Sequence, residues 1–133
     1  MNAFIVDLKN RPGQLAKVAE ALASAGINIT GFAGATCGET GRVALMTDDE
    51  VATRRALTEG EWKFQPLELV TASLADKPGT LAEVTRTLAQ AGLNIEAALP
   101  IGMVGTNIHV AFATNDPAKA REVLERQAIG AER

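Results

Sequence analysis

Few residues in this chain are equipped for bond-making chemistry. There is one histidine, His109, and one cysteine, Cys37. Far apart in the chain, they offer neither a metal-ligand set nor a nucleophile beside its base. The carboxylates are spread over turns and helix surfaces without a recognisable paired site. What the chain does carry, twice, is a loop suited to holding an anion: Asn10-Arg11-Pro12-Gly13 and Asp76-Lys77-Pro78-Gly79. Each opens a stretch with apolar residues at helical spacing. A helix that starts there presents free backbone N–H groups and the positive end of its dipole, which suits a carboxylate. Gly13 and Gly79 have no Cβ, so a ligand can approach the main chain, and a valine at Gly13 is expected to block it without harming the fold if φ there is negative. Asn28 and Asn94 open the strand after each helix and are expected to return beside their own copy's loop. Their amides supply the donor and the acceptor that a zwitterion requires.

Plainer roles compete with these. Asn10 and Asp76 are residue types that favour turns and caps, and Asn28 and Asn94 follow helix-ending glycines, where turn formers are common. Arg11 and Lys77 read as solvated. Gly31, Gly34, Gly38 and Gly41 fit no phosphate-loop fingerprint, and no lysine-serine pair follows them, so they read as hairpin and close-packing positions. Cys37 lies beside that turn with no histidine near it in sequence. His109 alternates with Ile108 and Val110 and reads as a surface or interface residue. Trp62 reads as a core or interface anchor.

The elements that position these loops are themselves repeated. Pro12-Gly13 recurs 66 residues later as Pro78-Gly79, and the same offset carries Leu15-Ala16 to Leu81-Ala82, Leu22-Ala23 to Leu88-Ala89 and Asn28-Ile29 to Asn94-Ile95. Val43-Ala44 then matches Val110-Ala111 at an offset of 67, which places one inserted residue in the second hairpin. Such self-similarity marks a duplicated module. Apolar runs at 3–8 and 67–74 predict first strands. Leu15, Val18 and Leu22, with Leu81, Val84 and Leu88, predict first helices that end at Gly26 and Gly92. Second strands are expected over 28–35 and 94–100, hairpin turns at 38–41 and 102–105, and third strands over 42–47 and 107–114. Asp49 and Asp116 are placed to cap second helices reaching about residues 59 and 127. Trp62 to Phe64 is the expected fourth strand of copy one, and Ile129 to Arg133 is all that remains for copy two. The fold class is α+β. Two ferredoxin-like βαββαβ modules, 1–66 and 67–133, pack side by side, with antiparallel sheets and helices on one face. Gln65-Pro66 joins them directly.

At 133 residues, 47% hydrophobic and 22% charged, the chain is an ordinary globular one. A net charge of −3 offers no general attraction for nucleic acid, and with 4% aromatic residues and no tyrosine base-stacking platforms are nearly excluded. No apolar run is long enough to span a bilayer and no signal peptide is evident. A lone cysteine agrees with a reducing compartment, so the cytoplasm is expected.

The two-part pattern Asn10-Arg11-Pro12-Gly13-x-Leu15 with Ala25-Gly26-Ile27-Asn28-Ile29 resembles the signature of the ACT domain. Asp76-Lys77-Pro78-Gly79-x-Leu81 with Ala91-Gly92-Leu93-Asn94-Ile95 repeats it. The resemblance covers essentially the whole chain. It implies a tandem ACT protein that binds a free amino acid as a regulatory sensor, at an interface formed by the two copies, without catalysis, cofactor or metal. The residues it implies as ligand-binding are Asn10, Pro12, Gly13, Gln14, Leu15, Asn28 and Ile29 in the first copy. In the second they are Asp76, Pro78, Gly79, Thr80, Leu81, Asn94 and Ile95. Asn10 and Asn28 match the two ligand-binding asparagines of serine-sensing domains in phosphoglycerate dehydrogenase. The histidine two positions earlier in that pattern is Leu8 here and Leu74 in copy two, which counts against serine. Asp76 is similar to the acidic residue of aspartokinase ACT domains. The alternative function is a regulatory subunit that docks onto a separate amino-acid biosynthetic enzyme, as acetolactate synthase small subunits do. A homodimer is expected, because each sheet has edges and a face to cover.

Overall fold

The computed structural model describes residues 1–131, with side-chain surroundings described as far as Gln127. Ten elements follow in order: β1 (Asn2–Lys9), α1 (Gln14–Ser24), β2 (Ile29–Cys37), β3 (Thr40–Thr47), α2 (Glu50–Glu59), β4 (Phe64–Ala75), α3 (Thr80–Gln90), β5 (Ile95–Val104), β6 (Asn107–Thr114) and α4 (Pro117–Ala131). The fold is α+β, with two ferredoxin-like modules built on antiparallel hairpins. The compact units are Asn2–Leu67, and Glu68–Arg133 together with Met1. The division falls inside β4.

In the first unit the strand order is β2-β3-β1 followed by the start of β4. Phe4, Val6, Val43 and Leu45 alternate onto the sheet face where Val18 and Leu22 of α1 and Leu57 of α2 pack. Each of these is at most 3% exposed, and full burial of such a side chain stabilises by about 1.5–3 kcal/mol. Phe64, at the start of β4, sets its ring 6.0 Å from that of Phe4. Trp62 packs against the same core and lies over Gly60, where a Cβ would collide with its ring.

The second unit repeats this with order β4-β6-β5 around Val70, Leu74, Val84, Leu88, Phe112 and Leu124. Both first helices end alike. Gly26 and Gly92 take φ of 74° and 78°, and Ile27 and Leu93 donate back to Leu22 and Leu88 at 2.9 and 3.0 Å, a left-handed closure that favours glycine.

Three expectations are corrected. The fourth strand of copy one is not a separate piece at Trp62 to Phe64. It begins at Phe64 and runs on through Pro66 as the first strand of copy two. In copy two α4 continues to Ala131, so 129–131 are helix where a strand was expected; Glu132 and Arg133 lie outside the described residues. Finally, the hairpin turns are shorter than 38–41 and 102–105: both close with two residues, between Cys37 and Thr40 and between Val104 and Asn107. The inserted residue does lie in the second hairpin, where the register skips Ile101, between Pro100 and Gly102, making a bulge that absorbs one residue. Gly102 therefore lies within β5, and Gly105 makes the turn.

Candidate functional site

The four helix starts fall into two kinds. Asp49 accepts from Ala52 N–H at 2.9 Å, and Asp116 from Lys119 N–H at 3.1 Å, so α2 and α4 begin with carboxylate caps. The starts of α1 and α3 have no side-chain cap; each follows a left-handed glycine, Gly13 (φ 85°) and Gly79 (φ 92°). The first turn of α1 holds no acidic residue either, whereas α3 carries Glu83 in its first turn, so the positive end of the dipole is left unanswered by a carboxylate at α1 alone. A Cβ at Gly13 would meet nothing within 4 Å. Glycine is needed there for its backbone angle, so valine at this position strains the helix start and is not the neutral block that a negative φ would allow.

The loop before α1 is fastened to the tip of the β2–β3 hairpin. Asn10 donates its backbone N–H to Glu39 O, and Nδ2 to Gly38 O, both at 2.9 Å. Beside it opens a cleft of about 410 Å³. Lys9, Asn10 and Arg11 edge it, with Gln14 and Leu15 of the first turn of α1. Leu8, Phe32, Gly34, Thr36, Arg42 and Val43 come from the sheet. Three basic side chains line it and no carboxylate does. Arg42 Nε is engaged by Asp7 at 3.1 Å.

Asn28 is not there. Lys9, Thr40 and Cys37 share one end of the sheet, whereas Ile29 pairs with Thr47 at the other. The length of β2 thus separates Asn10 from Asn28, roughly 25 Å at the usual rise per residue. The expectation that Asn28 returns beside its own copy's loop is corrected. In a β-helix-β crossover with parallel strands, the loop after the first strand and the start of the second must lie at opposite ends. Asn28 instead forms a reciprocal clamp with Asp48: Asn28 N–H donates to Asp48 Oδ1 at 2.9 Å, and Asp48 N–H to Asn28 O at 3.1 Å. Asn94 does the same with Asn115, at 2.8 and 3.3 Å. Ile29 and Ile95 pack against their cores.

In copy two, Lys77 and Thr80 line a different hollow of about 850 Å³ that runs along Leu69–Ala75 between α3 and α4. Thr80 Oγ1 donates to Lys77 O at 3.1 Å. Asp76, Pro78, Gly79 and Asn94 are exposed, Leu81 is 57% exposed, and none of them lines that hollow. Pro12 and Gly13 are likewise exposed and outside the cleft. His109 is half-buried opposite Ser73, and Cys37 is exposed at the end of β2. Among the described residues no three His, Cys, Asp or Glu side chains gather as metal ligands.

Sequence reasoning missed Phe32, Lys9 and Arg42 as parts of the cleft, and Asp48 and Asn115 as clamps. The clamps had a signal, a short polar side chain recurring at the repeat offset of 67. The cleft residues had none, since they meet only across strands.

The family model of the ACT domain matches residues 3–63 and again 69–128. Among solved structures the chain is similar to protein BT0572 from Bacteroides thetaiotaomicron, at 24% identity and TM-score 0.80, covering 96% of this chain and 88% of that one. It is also similar to the regulatory subunit of aspartate kinase from Thermus thermophilus, at 20% identity and TM-score 0.64, covering 94% and 89%. The corresponding subunit from Thermus flavus gives 22% and 0.66, covering 99% and 93%. Comparison with curated protein sequences finds no match.

Proposed function

The chain belongs to the ACT domain family, one domain in each half, and from that premise we propose that it is a regulatory sensor that binds a free amino acid without transforming it. One observation carries this reading: the uncapped start of α1 adjoins an open cleft lined by two residues of that same first turn, Gln14 and Leu15. A ligand α-carboxylate takes the place that Asp49 and Asp116 occupy at α2 and α4. Asn10, whose Nδ2 is held by Gly38 O, keeps Oδ1 as an acceptor for the ligand ammonium. Hydrogen bonds to charged groups contribute about 1.5–3 kcal/mol each, so two or three of them suffice for a metabolite sensor. Asn28 and Asn94 act in this reading as turn residues.

The protein works in the cytoplasm, where exposed Cys37 stays reduced; none of the described helices is long and apolar enough to cross a membrane. A second reading has it dock onto a separate biosynthetic enzyme, with the separate regulatory subunit of the Thermus thermophilus kinase as precedent. The test of the sensor reading is a thermal-shift screen of the full chain against the twenty amino acids, then calorimetry on any hit. At a hundred-fold excess over Kd a bound ligand adds about 2.7 kcal/mol of stability, an easily read rise in Tm. If no amino acid raises Tm at millimolar concentration, the reading fails.

A further inference from the structure

The lining of the first-copy cleft says more than that a carboxylate fits. Resting on the sensor reading above, we propose that this cleft selects a branched aliphatic amino acid, and that copy two has no equivalent site, so that one ligand binds per chain.

The selecting wall is apolar and already exposed. Phe32 and Leu15 are 64% and 50% exposed, an unfavourable state for large apolar groups in contact with water. Phe32 faces the helix side of the sheet because a register shift between Ile29 and Gly31 sets it opposite Leu45, a core residue. α1 buries only Val18 and Leu22 beneath itself, so Phe32 lies uncovered beyond the helix. Next on that face comes Gly34, opposite Val43. A Cβ there would sit 3.3 Å from Arg42 O and 3.4 Å from Val43 Cγ2, so glycine leaves Val43 as the floor of the cleft. An aliphatic ligand side chain lies on Val43 between Leu15 and Phe32.

Charge narrows the class. Lys9, Arg11 and Arg42 line the cleft and no aspartate or glutamate does. A lysine-like ligand would bring a third charge into a site with no counter-ion, next to cations of its own sign. An acidic ligand side chain would lie against Phe32 and Val43, away from exposed Lys9 and Arg11 at the rim and with Arg42 already engaged by Asp7, losing hydration without a buried partner.

Copy two has exchanged the wall residues. At the offset of 66, Phe32 becomes Ala98 and Gly34 becomes Pro100. The ring has moved to the middle strand: Ala98 pairs with Phe112, which is fully buried in the core. Pro100 stands opposite Val110, filling the position that Gly34 leaves open.

Calorimetry of the full chain with leucine, isoleucine, valine, lysine and aspartate tests this. The expected result is one site per chain, with a branched aliphatic ligand bound at least about ten-fold more tightly than lysine or aspartate. Phe32→Ala, at an exposed position, should keep the fold by circular dichroism and weaken the aliphatic ligand on the order of ten-fold, the loss of roughly half a buried side chain. Two equal sites per chain, lysine or aspartate binding as tightly as leucine, or an unchanged affinity in Phe32→Ala would each overturn the inference. If a charged amino acid binds and Asn10→Ala abolishes it, the sensor reading survives and this one does not. If no amino acid binds at all, both fail.

Discussion

The Nδ2 of Asn10 donates to the carbonyl of Gly38 at 2.9 Å, across a sequence gap of 28 residues. The residue that opens the Pro-Gly loop is thereby held by the tip of the neighbouring hairpin, and its Oδ1 is aimed by that bond. Copy two has Asp76 at this position, a side chain that when ionised has no hydrogen to donate.

Asn10→Ala should therefore act on two quantities. Stability should fall by about 0.5–1.5 kcal/mol in urea denaturation, the usual worth of one exposed hydrogen bond. Affinity for the amino acid should fall roughly ten-fold in calorimetry. A loss of stability with no loss of affinity would make Asn10 a fastener only.

Gly13→Ala should destabilise the chain by about 1–2 kcal/mol, the cost of a left-handed backbone for a residue with a Cβ. The space around Gly13 is open, so this cost comes from φ alone, and Gly79→Ala should match it. Denaturation midpoints equal to wild type would show that neither helix start needs its positive φ.

Asp48→Ala should cost about 1 kcal/mol by leaving Asn28 N–H without its acceptor. Asp48→Asn should be nearly neutral, because Asn115 performs the same task in copy two. A similar loss in both variants, read by thermal denaturation, would argue that charge and not the hydrogen bond matters there.

Thr53 is fully buried, and its Oγ1 lies 2.7 Å from both Thr47 Oγ1 and Asp49 O. Thr53→Val keeps the volume and removes the hydroxyl, stranding Thr47 without that partner. The expected loss is about 1–3 kcal/mol, measured by urea denaturation.

Met103 and Val104, at the end of β5, are 57% and 58% exposed. Large apolar groups left exposed on an edge strand favour a partner surface, so a homodimer is the expected solution state. Light scattering should give the mass of two chains at micromolar concentration, and Met103→Glu should shift it toward one. A single-chain mass across that range removes the dimer from the reading.

The duplication, the order strand-helix-strand-strand-helix in each copy, the aspartate caps and the placement of the Pro-Gly loops were legible in the sequence by itself. All of them rest on local information: the spacing of Leu15, Val18 and Leu22, the aspartates before α2 and α4, and glycines where a helix must end. The family resemblance rests on the same local patterns. The tertiary structure decided what depends on pairing between distant strands. It set Asn28 at the far end of the sheet from Asn10, where the two asparagines cannot share a small ligand within one copy. It fixed where in the second hairpin the inserted residue lies, at a bulge at Ile101. It also turned Phe32 toward the helix side, because a one-residue shift of register reverses which face a strand residue occupies. Register is a property of two strands together, and no window along either one contains it.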